Sequence, residues 1–202
     1  MKIFCIGRNY SDHIRELSNE KPSAPVVFMK PPSALLVQNK PFYIPDFSSE
    51  IHHELELVIK ICKNGKRIEP AFASRYFKEI ALGIDFTARD LQSELKKKGL
   101  PWELAKAFDK SAPLSDFIPL APFKDGAIHF RLDKNGQTVQ SGNHREMIYS
   151  FEELIVFISQ YFTFQMGDMI FTGTPAGVGP VKIGDRLEAY IEDRKMMDFD
   201  IK

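Results

Sequence analysis

The chain has 202 residues, 44% hydrophobic and 27% charged, with Lys+Arg and Asp+Glu equal at 27 each. That balance leaves no cationic excess for a nucleic-acid groove or an anionic membrane surface. With 12 glycines, 13 prolines and two cysteines, collagen, disulfide-scaffold and disordered compositions are excluded.

A length of this order points to one domain, residues 1–202, whose core can fold without disulfides or metals. Cys5 and Cys62 sit in the apolar stretches IFCIG and VIKICK with no Cys-x-x-Cys pair, so the expectation is buried free thiols in a reducing compartment. The opening MKIFCIGRNY carries too short an apolar run for a signal peptide, and no segment approaches the ~20 apolar residues of a membrane span. A soluble cytoplasmic protein is expected.

In chain order, Met1–Ile6 reads as a strand, and Ser11 caps a helical turn through Leu17. Asn19–Pro25 reads as a mobile loop, giving a lid over approximately 11–25. Val26–Met29 and Ala34–Val37 are short strands, and Ile51–Cys62 is one long alternating strand followed by a hairpin turn at Asn64-Gly65 into Arg67–Glu69. Ile80–Asp85 is an apolar strand. Thr87 is expected to cap a helix, Ala88–Lys98, ended by Gly99 and Pro101; the run Lys96-Lys97-Lys98 is its solvated end. Asn135-Gly136 turns Ile128–Asp133 into Gln137–Ser141, Phe151–Phe162 is a helix, and Met169–Thr172 and Arg186–Ile191 are strands. The sum is a mixed, β-rich α+β architecture, a rolled sheet or barrel rather than a doubly wound fold.

The densest chemistry lies in His52-His53-Glu54-Leu55-Glu56-Leu57. On a strand, side chains two apart share a face at roughly 7 Å, so Glu54 and Glu56 point together while Leu55, Leu57 and Ile59 face a core. A solvated strand face, helped by Lys60, is the plain reading. Asp85, ending an apolar strand where a helix begins, makes a third carboxylate, and three at one point suit Mg²⁺ or Mn²⁺. His52 shares that face in a hydrogen-bonding role, and His53 faces core or interface.

In His13-Ile14-Arg15-Glu16, residues three apart are neighbours on a helical turn. Glu16 can therefore orient His13 as a general base, although such pairs are also common on surfaces. Lys106 and Lys30 lie in apolar surroundings, where a lysine either snorkels outward or acts as an electrostatic clamp. The stretch Thr172-Gly173-Thr174-Pro175-Ala176-Gly177-Val178-Gly179-Pro180 is no nucleotide loop, since Pro180 discourages the helix and no Gly-Lys-Ser/Thr follows. Its backbone amides can bind a carboxylate, and Thr174 adds a hydroxyl; a plain tight turn competes.

Six stretches in order resemble the fumarylacetoacetate hydrolase family, in particular its short single-domain acylpyruvase-like branch. They are Gly7-Arg8-Asn9-Tyr10 with His13 and Glu16; Phe28-Met29-Lys30-Pro31; His53-Glu54-x-Glu56; Gly83 to Asp90; Lys106-x-Phe108-Asp109; and Thr172 to Gly179. The resemblance implies that family's C-terminal-domain β-roll, a homodimer, and Mg²⁺ or Mn²⁺ on Glu54, Glu56 and Asp85. It also implies a water-activating His13–Glu16 dyad on a lid, Lys106 at the substrate's keto or enolate oxygen, and Lys30, Arg89, Gln92 and Thr174 as substrate contacts.

The activity the resemblance implies is metal-dependent hydrolysis of acylpyruvate-type 2,4-dioxo acids to pyruvate and a carboxylic acid, with oxaloacetate decarboxylation as a second activity. The alternative on the same scaffold is a 2-oxo-acid isomerase, tautomerase or hydratase; outside enzymes, it is a non-catalytic metal- or ligand-binding dimer. The partner expected is a small 2-oxo acid, with neither nucleic acid nor membrane.

Overall fold

The structure is a computed structural model and describes residues 1–16, 22–123 and 126–202. In chain order the strands are β1 (Ile3–Gly7), β2 (Val26–Lys30), β3 (Leu35–Leu36), β4 (Ile51–His53), β5 (Leu55–Ile61), β6 (Phe77–Ile84), β7 (Thr87–Ala88), β8 (Ala112–Pro113), β9 (Ile118–Pro119), β10 (His129–Lys134), β11 (Gln137–Asn143), β12 (Met169–Phe171), β13 (Gly179–Pro180), β14 (Arg186–Ile191) and β15 (Arg194–Asp200). The α-helices are α1 (Ser11–Glu16), α2 (Pro70–Ala73), α3 (Arg89–Lys97), α4 (Glu103–Lys106) and α5 (Phe151–Tyr161).

A six-stranded sheet, β2-β1-β12-β5-β6-β9, forms the frame. Only β1 and β12 pair in parallel there; the other pairings are antiparallel. Its middle strands are apolar on both faces, so both faces must be covered. Leu55, Leu57, Ile59 and Ile61 of β5 join the larger core, with Leu154, Ile155 and Ile158 of α5 and with Phe130, Leu132, Leu187 and Ile191 of the sheet β11-β10-β14-β15. Val58 and Ala81 turn the other way, onto Ile3, Cys5, Ala112, Leu114 and Phe171. α5 starts at a capping box, where Ser150 Oγ accepts from Glu153 N and Glu153 Oε2 accepts from Ser150 N. Asn135 and Gly136, both at positive φ (54° and 77°), turn β10 into β11 as the sequence suggests.

The expected sheet-rich α+β class is what is found, but the sheets stay open and no barrel closes among the described residues. Four local expectations fail. The strand expected over Ile51–Cys62 breaks at Glu54, because β4 pairs with β13 and β7 while β5 pairs with β12 and β6. Gly65 makes no hairpin with 67–69: it bridges Phe164, and the chain goes into α2. Thr87 does not cap a helix; it lies in β7, and α3 begins after Ala88 with no side-chain cap. Cys62 is only half-buried, whereas Cys5 is fully buried; both are free thiols.

β15 was not expected at all. Its sequence, RKMMDFD, holds no β-branched residue, and its pairing to β14 carries it. Of the expected lid, α1 is described, and residues 17–21, which hold part of the Asn19–Pro25 loop, lie outside the described residues. No helix among the described residues is long and apolar enough to cross a membrane.

Candidate active site

The break at Glu54 builds the site. The Glu54 carbonyl accepts the amide of Asp85 at 2.8 Å, and Glu56 is registered against Gly83 in the β5–β6 ladder. Two adjacent strand ends thereby bring three carboxylates together. One oxygen from each of Glu54, Glu56 and Asp85 lies within 4.8 Å of the others, and all three residues are buried. The solvated strand face is thus excluded.

Buried carboxylates need positive partners. Lys106, at the end of α4, donates to Glu54 Oε2 at 2.8 Å, Asp85 Oδ2 at 2.6 Å and Thr87 Oγ1 at 2.6 Å, using all three ammonium protons. Arg89 Nη2 pairs with Glu54 Oε1, and its Nη1 donates to Gln92 Oε1 at 2.7 Å. Burial alone would raise the Glu54 carboxyl, but Lys106 and Arg89 outweigh it and hold the group well below the usual carboxylate range. Glu56 lacks such a partner; burial and the neighbouring Asp85 push it up, against one hydrogen bond from Gly173. For Lys106, burial lowers the ammonium's pKa and Asp85 and Glu54 more than restore it, so the net shift is upward.

The glycine-rich turn after β12 gives its amides to the protein's own carboxylates. Gly173 N donates to Glu56 Oε2 at 2.8 Å, and Gly177 N donates to Glu16 Oε1 at 3.0 Å. Both glycines need their left-handed φ, 102° and 96°. Two buried amides pin this turn. Asn9 donates to Thr172 O and Tyr149 O and accepts from Tyr149 N. Gln140 accepts from Leu55 N and His53 Nδ1 and donates to Thr174 Oγ1 and Pro175 O. His53, buried and held neutral, has its pKa pushed down to about 4, chiefly by burial.

His13 Nδ1 donates to Glu16 Oε2 at 3.3 Å, leaving Nε2 as the basic nitrogen. Burial lowers the His13 pKa, and Glu54 and Glu16 only partly oppose it, so the ring is neutral near pH 7.

One small cavity, ≈ 30 Å³, gathers His13, Glu54, Glu56, Asp85, Arg89, Gln92, Lys106 and Thr174 on its wall. Glu16 stands behind His13. Lys30 lies off that wall and backs Asp85, its Nζ bonded to Lys106 O and Ser111 Oγ. His52 hydrogen-bonds Glu50 at 2.8 Å, away from the cavity.

Sequence reasoning missed Gln140 and the site role of Thr87, and it treated Lys96, which lines the cavity, as solvated. Gln140 sits in the polar run QTVQSGN, which holds no local cue to burial. The helical spacing Arg89-Gln92-Lys96 could have placed Lys96.

The residues fit a divalent cation. The donors are hard oxygens, the class Mg²⁺ and Mn²⁺ prefer. Lys30 Nζ pairs with Asp85 Oδ1 at 2.8 Å, so two buried ammonium groups, Lys30 and Lys106, stand beside the three carboxylates.

Known proteins are similar to this chain in sequence, and one of them in fold. Mitochondrial oxaloacetate tautomerase of Mus musculus is 43% identical over 201 residues, covering 99% of this chain and 91% of the mouse protein. Mitochondrial oxaloacetate decarboxylase of Dictyostelium discoideum is 44% identical over 203 residues, covering 99% of this chain and 93% of that one. The crystal structure of fumarylpyruvate hydrolase from Pseudomonas aeruginosa with Mn²⁺ and pyruvate superimposes with TM-score 0.94 at 32% identity, covering 100% of this chain and 89% of that one. The profile described as Fumarylacetoacetate (FAA) hydrolase C-terminal matches residues 2–201, and this chain belongs to that family.

Proposed function

We propose that this chain is a divalent-cation-dependent enzyme of oxaloacetate, interconverting its enol and keto forms and decarboxylating it. The observation that carries this reading is the meeting, on one cavity wall, of a neutral histidine base, a buried ammonium and three carboxylates suited to a cation. The mouse and Dictyostelium relatives support oxaloacetate as the substrate. Hydrolysis of acylpyruvates is the second reading, favoured by the His13–Glu16 dyad, which can serve water as readily as carbon.

Mg²⁺ or Mn²⁺ held by Glu54, Glu56 and Asp85 would supply Lewis-acid polarisation of a 2-oxo acid. The chain's own groups do the rest. Arg89 Nε is buried with no acceptor and is the natural donor to the substrate's inner carboxylate. Thr174 adds a hydroxyl on the same wall.

For tautomerisation, His13 Nε2 takes the proton from C3 while Lys106 offsets the charge growing on the 2-oxygen; the imidazolium, steadied by Glu16, then returns the proton to that oxygen to give the enol. For decarboxylation the C3–C4 bond breaks, CO₂ leaves from C4, and the electron pair delocalises from C3 onto the 2-oxygen. That step needs Lys106 but no base. For acylpyruvate hydrolysis, His13 would take a proton from water attacking the distal carbonyl; the C3–C4 bond then breaks, releasing the carboxylic acid and a pyruvate enolate that takes the proton at C3.

The test uses EDTA-stripped protein with oxaloacetate and, separately, acetylpyruvate, before and after Mg²⁺. Cation-dependent loss of the oxaloacetate enol absorbance with little change in acetylpyruvate is expected. Turnover of acetylpyruvate alone would put hydrolysis first, and no cation dependence would remove the metal from the reading.

A further inference from the structure

The cavity has a charged side that the acid cluster does not use. Of the basic run at the end of α3, Lys97 and Lys98 are exposed, but Lys96 is half-buried and lines the cavity. Its Nζ stands 5.3 Å from the centroid of the Trp102 ring. Helical geometry explains the difference: Arg89, Gln92 and Lys96 recur at i, i+3 and i+7, a single stripe facing the site.

Arg8 reaches the same cavity from the end of β1. Its φ is 61°, a left-handed backbone that a side-chain-bearing residue adopts only at a cost. The adjoining Asn9, bonded to Thr172 and Tyr149, holds the chain in that turn. A backbone outlier kept at a site wall is a pointer to use. Among the described residues neither Arg8 nor Lys96 has an acidic partner within ion-pair distance. Burial, followed by Arg89, Arg8 and Lys106, pushes Lys96 down to about 8, the mark of a cation pressed among cations.

We infer that Arg8 and Lys96 form a clamp for the distal carboxylate of a dicarboxylic 2-oxo acid, making the chain selective for dianions. The inference rests on the reading above for the inner, 2-oxo end of the substrate. A methyl or acyl tail at this position leaves two half-buried cations uncompensated, so the site acts against monoanions as well as for dianions.

An unreactive pair of equal carbon count tests it: malate, with a distal carboxylate, and 2-hydroxybutyrate, with a methyl there. Calorimetric titration into Mg²⁺-loaded protein is expected to show malate bound about tenfold or more tightly, the worth of one charge-assisted contact. Lys96→Met, and Arg8→Gly (which keeps the backbone φ), should each weaken malate by about tenfold and leave 2-hydroxybutyrate within about twofold. Lys96→Arg should keep the preference.

Trp102, the sole tryptophan, gives a second readout: its emission should respond to malate in the parent and not in Lys96→Met. Equal affinity for both acids, no malate binding, or equal weakening of both acids in the variants overturns the clamp. Oxaloacetate turnover by the parent, measured alongside, judges the activity separately. Preference without turnover would sink the proposed reaction and keep the clamp, and turnover without preference would do the reverse.

Discussion

Gly177 holds Glu16 by a backbone hydrogen bond across 161 residues of sequence, its amide 3.0 Å from Oε1. A Cβ at Gly177 would lie 2.1 Å from the Val139 carbonyl oxygen, and its φ is 96°. Gly177→Ala must therefore move the turn and release Glu16. We expect a stability loss of about 1–3 kcal/mol, or roughly 3–10 °C in Tm. Base-dependent turnover should fall with it, while Mn²⁺ affinity by calorimetry stays unchanged. A variant with parental tautomerase rates would show that Glu16 needs no anchoring.

His13 separates the reactions. His13→Ala should lower oxaloacetate tautomerisation, and any acylpyruvate hydrolysis, by about 10²–10⁴-fold while leaving most decarboxylation. Equal loss of all activities would show that His13 binds substrate rather than moves protons.

The same residue sets a pH dependence. Burial depresses the His13 pKa, so the neutral base persists to lower pH than in a free histidine. Base-dependent turnover should hold steady from pH 8 down through about 6.5, the ordinary histidine value, and fall only below it. A decline centred above the ordinary value would contradict the buried, neutral ring.

Lys106→Met strips the ammonium from Glu54, Asp85 and Thr87. Breaking a buried charge cluster costs about 3–5 kcal/mol, so in EDTA the variant's Tm should drop by roughly 6–15 °C. Mg²⁺ should raise the variant's Tm by more than it raises the parent's, because a cation then meets the uncompensated carboxylates. Unchanged stability in EDTA would place the lysine elsewhere.

Asp85→Asn removes one of the three carboxylates and keeps the shape. Mn²⁺ affinity should weaken by more than about a hundredfold, a larger effect than the 10–100-fold typical of residues that merely support a metal ligand. Retained Mn²⁺ binding would remove Asp85 from the proposed ligand set.

The alternation Glu54-Leu55-Glu56-Leu57 was legible, and so was Asp85 at the close of an apolar strand, because both are local patterns. What alternation cannot register is a change of hydrogen-bonding partner. Nothing in His53-Glu54-Leu55 marks the handover from one sheet to another, since the pleat continues through it. Nor can period two tell a solvated face from a buried one when the second covering layer is made of Ala81, Ala112 and Cys5, scattered along the chain. Gln140 and Thr87 gain their roles only from tertiary neighbours. Lys96 escapes for a different reason: a basic run at a helix end looks uniform in sequence, although its members point in different directions around the helix.

The seam at Glu54 also constrains how the protein can vary in length. His53 is registered on Gly179 in one sheet and Leu55 on Ile84 in another, with a single residue between. An insertion or deletion there cannot slide into either ladder without turning every following side chain over. The slack would have to be absorbed at Glu54 itself. Homologues should accordingly tolerate length changes in the surface loops yet keep the count from Ile51 to Glu56 constant, whatever their substrates.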